Sequence, residues 1–235
     1  MSAAGISKKL GETEALKNVS ADFTGAMIHC VLGPNGAGKT TFMRLLAGLL
    51  RPDAGKISWN RGGLPVDFQS VKPELAYFPQ EPSLYPDLTC GEHLAFFRDL
   101  YGVPKKIYDE KSEMLLRLAR LSEFRDRKAG QLSGGMYKKL GLICVLLHSP
   151  SALLLDEPTV GVDPVSRREL WELMHGLSAG GMLVIMTTSY MDDAQRCSRA
   201  HLLDGGRFIL SGEPRAILEN EKASGFEEIF LRLAK

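Results

Sequence analysis

The chain has 235 residues, of which 44% are hydrophobic and 24% charged, so it is long and apolar enough for a full-sized core. Its formal net charge is +1, and lysine and arginine are scattered among acidic residues, so no nucleic-acid partner is expected. Four widely spaced cysteines form no CxxC pair, and the longest strongly apolar stretch, residues 140–147, is far shorter than the ~20 residues of a membrane span.

Predicted strands and helices alternate along the chain. Short antiparallel strands with glycine turns are expected within residues 7–22 and 55–59. A buried strand is predicted over residues 26–32, and a helix over residues 40–50, where apolar residues recur at helical spacing. Two more apolar strands, at 152–155 and 182–187, flank a predicted helix at 165–177. Continuous apolar strands that alternate with helices predict a mostly parallel sheet covered on both faces.

The stretch between Gln80 and Pro150 has a different pattern. Proline and glycine punctuate it, and its longer stretches are helical, at residues 90–101, 106–121 and 133–148. We expect a helical subdomain at about 81–150, inserted into a core formed by 1–80 and 151–235, so that 1–235 is a single domain. An amphipathic helix is also predicted near the end, from apolar residues at i, i+3, i+4 and i+7. These residues are Phe226, Ile229, Phe230 and Leu233.

A phosphate-binding pattern lies between the predicted strand at 26–32 and the helix that follows it. The pattern is GxxxxGK[ST], matched in full by Gly33, Pro34, Asn35, Gly36, Ala37, Gly38, Lys39 and Thr40, and Thr41 is the next binding candidate. Backbone N–H groups of such a loop turn toward phosphate oxygens, and the helix N-terminus adds positive potential. Lys39 is placed to reach the β- and γ-phosphates and Thr40 to bind Mg²⁺, so ATP and Mg²⁺ are the expected cofactors.

Two acidic residues follow the apolar strand at 152–155. Asp156 is expected to hold Mg²⁺, and Glu157 to polarise the attacking water as a general base. Two acids after a strand are weak evidence alone, because most such pairs only solvate the end of a strand. The P-loop earlier in the chain favours the catalytic interpretation.

Further motifs resemble those of the ATPases of ABC transporters. Residues 132–136 are similar to the LSGGQ signature, with Met136 in place of the final glutamine. Gln80 matches the Q-loop, residues 161–163 match the D-loop, and all the motifs stand in the order of that family. The resemblance covers nearly the whole chain. It implies an α/β P-loop ATPase core with an antiparallel β edge and an inserted α-helical subdomain.

The same resemblance implies roles for these motifs. In this family, ATP on the P-loop of one domain is clamped by the signature of another, so we expect a head-to-tail dimer with a second ATPase domain, identical or fused. The residues expected to bind nucleotide in that way are Ser133, Gly134, Gly135 and Asp163. Gln80 is expected to sense the γ-phosphate and to bind Mg²⁺, which makes it both a catalytic and a metal candidate.

Residues 84–101, 156–171 and 188–194 resemble the ATPases of ABC-2-type exporters, most closely the N-terminal ATPase domain of tandem-ATPase exporters. The resemblance implies an ATP-hydrolysing subunit or domain that powers export through separate ABC-2-type membrane permease subunits. It also implies a cytoplasmic protein, held on the inner face of the cell membrane by those permease subunits. This chain is not expected to identify the exported substrate, because the substrate pocket lies in the membrane subunits.

Besides Met136, two positions depart from the pattern of the family. Ser189 stands where a switch histidine contacts the γ-phosphate in this family, so it is a catalytic candidate. Because serine replaces that histidine, slow hydrolysis is expected. Leu10 stands where an aromatic residue stacks on adenine, an interaction worth ~1–3 kcal/mol, so weak nucleotide binding is expected. Two alternatives stay open: a degenerate ATP-binding regulatory half of a two-ATPase assembly, and a soluble ABC ATPase without a transporter. The second lacks support, since no basic arm, long coiled-coil insertion or duplicated domain is present.

Overall fold

The computed structural model describes residues 1–233, which form two β-sheets and eight α-helices. The last two residues of the predicted domain, 234 and 235, lie outside the described part of the chain. The strands are β1 (Ser2–Leu10), β2 (Thr13–Asp22), β3 (Ile28–Leu32), β4 (Ala54–Arg61), β5 (Leu64–Val66), β6 (Leu75–Phe78), β7 (Ala152–Leu155), β8 (Leu183–Thr188), β9 (Arg199–Asp204) and β10 (Arg207–Gly212).

The larger sheet has six strands in the order β10-β9-β3-β8-β7-β6. Every neighbouring pair is parallel except β10 with β9, which is antiparallel. All five residues of β3 are buried, and β7 and β8 are buried except at their first residues. Central parallel strands that are buried along almost their whole length are covered on both faces, so the predicted mostly parallel sheet is confirmed.

The smaller sheet is antiparallel, in the order β2-β1-β4-β5. It contains both segments predicted as an antiparallel edge, and β1 begins earlier than expected, at Ser2. The pairing of β1 with β2 is irregular, since its register shifts at three places, as it does at β-bulges. Bulges of this kind bend a strand and increase its local twist.

The helices are α1 (Lys39–Leu46), α2 (Phe68–Val71), α3 (Cys90–Tyr101), α4 (Lys105–Leu118), α5 (Gly134–Leu146), α6 (Pro164–Ala179), α7 (Pro214–Glu221) and α8 (Phe226–Leu233). Short 3₁₀ helices occupy Lys72–Glu74, Ser122–Phe124, Ala129–Gln131 and Met191–Arg196. Three of the helices, α3 to α5, lie between β6 and β7, in the stretch predicted to be helical. The division into a core and a subdomain stays a prediction. In α8, Phe226 and Ile229 are buried, and the side chain of Leu233 lies outside the described ones.

Three helices end earlier than their apolar periodicity predicts. The helix predicted to Leu50 ends at Leu46, and those predicted to reach 121 and 148 end at Leu118 and Leu146. A left-handed residue follows each one, namely Gly48, Arg120 and Ser149, with φ of 68°, 56° and 59°. Left-handed backbone stops a helix at its C-terminus, and apolar side chains beyond it stay buried in the turn that follows.

Buried side chains form two hydrophobic clusters. One lies between the large sheet and α3 to α6, and includes Phe78 and Trp171. The other packs α1 between the two sheets, with Phe42 of α1 against Phe23 and Leu16 of the small sheet and its flank. Helix α1 is therefore fixed from both sides, and with it the loop from which it starts.

Candidate functional site

The loop at residues 33–38 joins the carboxyl end of β3 to the N-terminus of α1. Gly38 is left-handed, with φ of 106°, and a Cβ at this position would lie 2.4 Å from the carbonyl oxygen of Ala15. A Cβ at Gly33 would lie 2.1 Å from the carbonyl oxygen of Leu203. Only glycine fits at these two positions, because the loop packs closely against β2 and β9.

Lys39, the first residue of α1, is buried and bound at its charged end. Its Nζ donates to the carbonyl oxygens of Gly33 (2.9 Å) and Pro34 (3.0 Å). It also forms an ion pair with Glu157, at 2.9 Å from Nζ to Oε1, and the two side chains are 4% and 7% exposed. The structure thus joins the two ends of the predicted site, which lie more than a hundred residues apart in the sequence.

The two acidic residues after β7 are held by one threonine. Thr187 Oγ1 donates to Asp156 Oδ1 (2.7 Å) and accepts from the backbone N–H of Glu157 (2.9 Å). Tyr77 on β6 also donates to Asp156, at 3.5 Å. Burial, together with the negative charge of Asp156, raises the pKa of Tyr77. Asp156 is therefore fixed by the strands on both sides of β7.

Glu157 has an unusual backbone conformation, since its φ is 47° although it is not glycine. Residues in this region cost of order 1–3 kcal/mol and persist where their surroundings hold them. Every polar atom of Glu157 has a partner: besides Thr187 and Lys39, Ser189 Oγ donates to Oε2 (3.4 Å) and Lys138 Nζ donates to the carbonyl oxygen (3.4 Å). Its carboxylate is consequently held in one orientation beside Lys39.

A cavity of about 780 Å³ opens over this pair of charges. Among the residues predicted from sequence, those that line it are Leu10, Asn35, Gly36, Gly38, Lys39, Thr40, Thr41, Gln80 and Glu157. Residues that the sequence did not indicate complete the lining: Thr13, Glu14, Ala15, Lys17, Gly205 and Gly206. The volume falls in the range of small-molecule sites, about 300–1,000 Å³.

The chemistry of the donors near the cavity fits Mg²⁺. Thr40 offers a hydroxyl, Gln80 an amide oxygen and Asp156 a carboxylate, all of them hard oxygen ligands. Mg²⁺ commonly binds through one or two carboxylates together with substrate phosphates rather than in a cage made by protein alone. Within residues 1–233, no cluster of three His, Cys, Asp or Glu side chains able to hold a metal occurs.

The signature residues lie apart from this cavity, beside the predicted D-loop. Ser133 caps the N-terminus of α5, since its Oγ accepts from the backbone N–H of Met136 (3.3 Å). Asp163 caps α6 through Ser166 and Val165, and hydrogen bonds from the Ser166 backbone and side chain lower the pKa of its carboxyl. None of the predicted residues Ser133, Gly134, Gly135 and Asp163 lines the cavity.

Gly134 and Gly135 differ in the space around them. A Cβ at Gly135 would lie 2.3 Å from Ser166 Oγ, whereas at Gly134 its nearest neighbour would be 4.0 Å away, the carbonyl oxygen of Gly161. The first glycine of the pair therefore faces open space, and the second is required for α5 to pack against α6.

Sequence reasoning missed several side chains that hold the site: Thr187, Lys138, Asp193 and Arg167. Local patterns carry little signal for them, because most of the contacts that bring them to the site bridge 19 to 34 residues of sequence. Separately, no helix of residues 1–233 is both long and apolar enough to cross a membrane.

Comparison with known proteins identifies the family. The family model described as ABC transporter matches residues 16–160, more than half of the chain. The probable multidrug ABC transporter ATP-binding protein YbhF of Escherichia coli (strain K12) is 44% identical over 202 residues, which cover 83% of this chain and 34% of YbhF. The chain thus spans about a third of the length of that relative.

In two further comparisons, the aligned region covers most of this chain and also most of the other protein. The Nod factor export ATP-binding protein I of Burkholderia lata is 36% identical over 226 residues, covering 96% of this chain and 74% of the relative. A solved structure described as the ATP binding subunit of an ABC transporter superposes with a TM-score of 0.86 at 28% identity, over 100% of this chain and 99% of that one. The chain belongs to the ATP-binding proteins of ABC transporters, a family of ATPases.

Proposed function

We propose that this chain binds Mg-ATP in the P-loop cavity and hydrolyses it to power export through separate membrane subunits. The observation that carries the proposal is the ion pair between Lys39 and Glu157 at the floor of the cavity, with Asp156 beside it. A phosphate-binding cation and a water-activating carboxylate meet there at the N-terminus of α1. This is the pair of groups that ATP hydrolysis requires.

In this proposal each part of the cavity holds one part of the nucleotide. Lys39 moves from Glu157 to the β- and γ-phosphates, which the backbone N–H groups of residues 35–41 also bind. Leu10 packs against the base without aromatic stacking. Thr40, Gln80 and Asp156 hold Mg²⁺, which supplies charge neutralisation at the phosphates when it is bound.

Glu157 acts as the general base. Once Lys39 has turned to the phosphates, the carboxylate is free to accept a proton from the water that attacks the γ-phosphorus, and ADP leaves. Ser189 contacts the same carboxylate through a hydroxyl rather than an imidazole. We therefore propose that hydrolysis at this site is slow, since a neutral hydroxyl stabilises developing negative charge less than a cationic donor does.

Closure requires a second ATPase domain, identical or fused in the natural protein. Ser133, Gly134 and the N-terminus of α5 are exposed and lie away from the cavity of their own chain. A helix N-terminus with exposed N–H groups attracts anions. In a head-to-tail pair this end of α5 would face the γ-phosphate bound by the partner, with Asp163 nearby.

Two observations support export. The relatives are named as a probable multidrug ABC transporter ATP-binding protein and a Nod factor export ATP-binding protein. In addition, α3 and the loop before it carry exposed apolar side chains. Leu100 on α3 is 62% exposed, Tyr85 in the loop is 55% exposed, and the Phe96 ring of α3 lies 5.4 Å from the Tyr85 ring. We propose that this surface, in a helical subdomain at about 81–150, receives an ABC-2-type permease subunit, which holds the chain in the cytoplasm on the inner face of the membrane.

The proposal is tested by ATP binding and turnover in matched variants of the full chain. Lys39→Ala is expected to abolish ATP binding, and Glu157→Gln to abolish turnover while ATP still binds. Lys39→Ala also leaves the Glu157 charge unpaired, at a cost of at most about 3–5 kcal/mol in stability. The double variant Lys39→Ala/Glu157→Gln removes that charge, and is expected to recover stability without recovering binding.

Calorimetric titration with Mg-ATP, thermal unfolding and phosphate release measure the three quantities. Unchanged ATP affinity in Lys39→Ala would show that the nucleotide binds elsewhere. Unchanged turnover in Glu157→Gln would exclude Glu157 as the base.

A further inference from the structure

Asp193 is a fully buried carboxylate that the proposed chemistry does not use. Its side chain is 0% exposed and accepts hydrogen bonds at both oxygens. Oδ2 accepts from the hydroxyls of Thr159 (2.8 Å) and Thr188 (2.9 Å). Oδ1 accepts from Trp171 Nε1 (2.9 Å) and from the guanidinium of Arg167 (2.7 Å). A buried charge is tolerated only when it is paired and hydrogen-bonded, and Asp193 meets both conditions.

Two of the partners of Asp193 lie close in sequence to the catalytic candidates. Thr159 comes two residues after Glu157, and Thr188 immediately precedes Ser189. Thr187, the residue before Thr188, points to the opposite side of β8, as strand alternation requires, and binds Asp156 and Glu157. The last two residues of β8 thus hold the loop after β7 from two sides.

Arg167 adds to the same cluster from the outer side of residues 189–193, which we call the switch loop. Besides Asp193, its guanidinium binds both oxygens of Asp192 at 3.0 Å, and it lies 4.6 Å from the centre of the Tyr190 ring. Because Arg167 belongs to α6, residues 190–193 are attached to the helix that starts at the D-loop. Residues 157–163, the start of α6 and the switch loop therefore form one hydrogen-bonded unit.

The relative position of Glu157 and Ser189 depends on this unit. Glu157 has left-handed backbone, a conformation that persists only where its surroundings impose it. Ser189 is 3.4 Å from the carboxylate, the outer limit of a hydrogen bond. A displacement of one loop relative to the other by a fraction of an ångström would remove this contact, and displacements of that size are costly in catalysis.

We infer that Asp193 is a positioning residue for ATP hydrolysis: through Thr159 and Thr188 it fixes the loop of the general base Glu157 against the switch loop of Ser189. The inference rests on the proposed hydrolysis at this site. Asp193 does not touch the cavity, so its effect is on the geometry of hydrolysis and not on the affinity for ATP.

The test compares two substitutions of Thr159 in the full chain. Thr159→Val keeps the branched shape and removes the hydroxyl that donates to Asp193. Thr159→Ser keeps the hydroxyl and removes the methyl group. We expect Thr159→Val to lower kcat for ATP hydrolysis about tenfold, from the loss of one charge-assisted hydrogen bond, with the Kd for Mg-ATP unchanged. Thr159→Ser is expected to restore most of kcat.

A matched control is Ser178→Ala, which removes a buried hydroxyl near the C-terminus of α6, away from the loops of the site. It is expected to leave kcat unchanged. The inference is overturned if Thr159→Val keeps the wild-type kcat, or if kcat falls equally in the Val and Ser variants, since loss of packing would then explain the effect.

Hydrogen exchange of backbone amides separates this inference from the proposed function. Faster exchange in both 157–160 and 189–193 is expected in Thr159→Val and not in Thr159→Ser, whether or not the chain turns over ATP. Unchanged exchange in either segment overturns the inference. Failure of the proposed function would show differently, as identical turnover in the wild type and Glu157→Gln.

Discussion

Ser189 and Glu157 are the residues on which the rate of hydrolysis is expected to depend most. Ser189 directly follows β8, whose last residues are buried, and its hydroxyl reaches the Glu157 carboxylate at 3.4 Å. The position is therefore well placed relative to the base, although its side chain is short and uncharged. A longer cationic donor at the same position would extend further into the cavity, toward the phosphates.

Ser189→His is accordingly expected to raise the rate of single-turnover ATP hydrolysis. Removal of one preorganised donor to a transition-state oxyanion costs on the order of 10²–10³ in rate in other enzymes, so partial restoration is measurable. The measurement is phosphate release from the full chain at saturating Mg-ATP, with Ser189→Ala as the matched substitution that donates no hydrogen bond and Glu157→Gln as the inactive baseline.

If Ser189→His binds ATP as the wild type does but hydrolyses it no faster, Ser189 is not what limits the rate. The low-turnover interpretation would then have to rest on another residue.

At the scale of residues, the sequence predicted side chains whose roles follow from a local motif. It missed side chains whose roles depend on contacts with distant parts of the chain. Lys39 and Gly38 were predictable because the pattern places them between a strand and a helix. The left-handed backbone of Glu157 was not, because it depends on Thr187 from β8 and Lys138 from α5. Side chains that converge only after the sheet has formed leave no spacing signal in the sequence.

At the scale of elements, apolar runs predicted the central strands well, since β3, β7 and β8 are buried on both faces. The ends of helices were predicted less well. Gly48, for example, ends α1 because it is left-handed, and a Cβ there would meet the Phe68 ring at 2.3 Å. That contact with α2 comes from tertiary packing, which periodicity does not report.

Neighbouring strands also contain a buried pair of histidines, His29 on β3 and His201 on β9. Their rings are stacked with centroids 5.7 Å apart, and His201 Nδ1 lies 3.1 Å from the Ser211 hydroxyl. Burial, with smaller effects from the positive charges of His29 and Arg199, lowers the pKa of His201 to about 3. Burial also lowers the pKa of His29.

These shifts predict that acid destabilises the fold. An unfolded histidine has a pKa of about 6.5, so below that pH the unfolded chain binds a proton that folded His201 does not, and stability falls as pH falls. Between about pH 7 and about pH 5 the expected loss from His201 is about 2 kcal/mol.

The measurement is urea unfolding at both pH values. In His201→Gln the loss of stability between the two pH values is expected to be smaller, while the same change at the exposed His175 leaves it unaltered. An acid sensitivity that is equal in His201→Gln and the wild type would contradict the account.

At the scale of the whole molecule, two surfaces are separate that must meet during the proposed reaction. The P-loop cavity and the exposed N-terminus of α5 lie apart within one chain, and Gly134 has room around it for a side chain. A second copy, turned head to tail, would bring each α5 to the other cavity. Negative charge on bound ATP would then be shared between two copies, which makes closure depend on nucleotide.

The most direct test of this account is sedimentation of the Glu157→Gln full chain with and without Mg-ATP. We predict a monomer without nucleotide and a dimer with Mg-ATP. The same chain with Gly134→Asp is predicted to bind Mg-ATP but remain monomeric, because the added carboxylate has space within the chain and repels the partner's phosphates. A dimer that forms without nucleotide, or a chain that stays monomeric while saturated with Mg-ATP, would contradict head-to-tail closure.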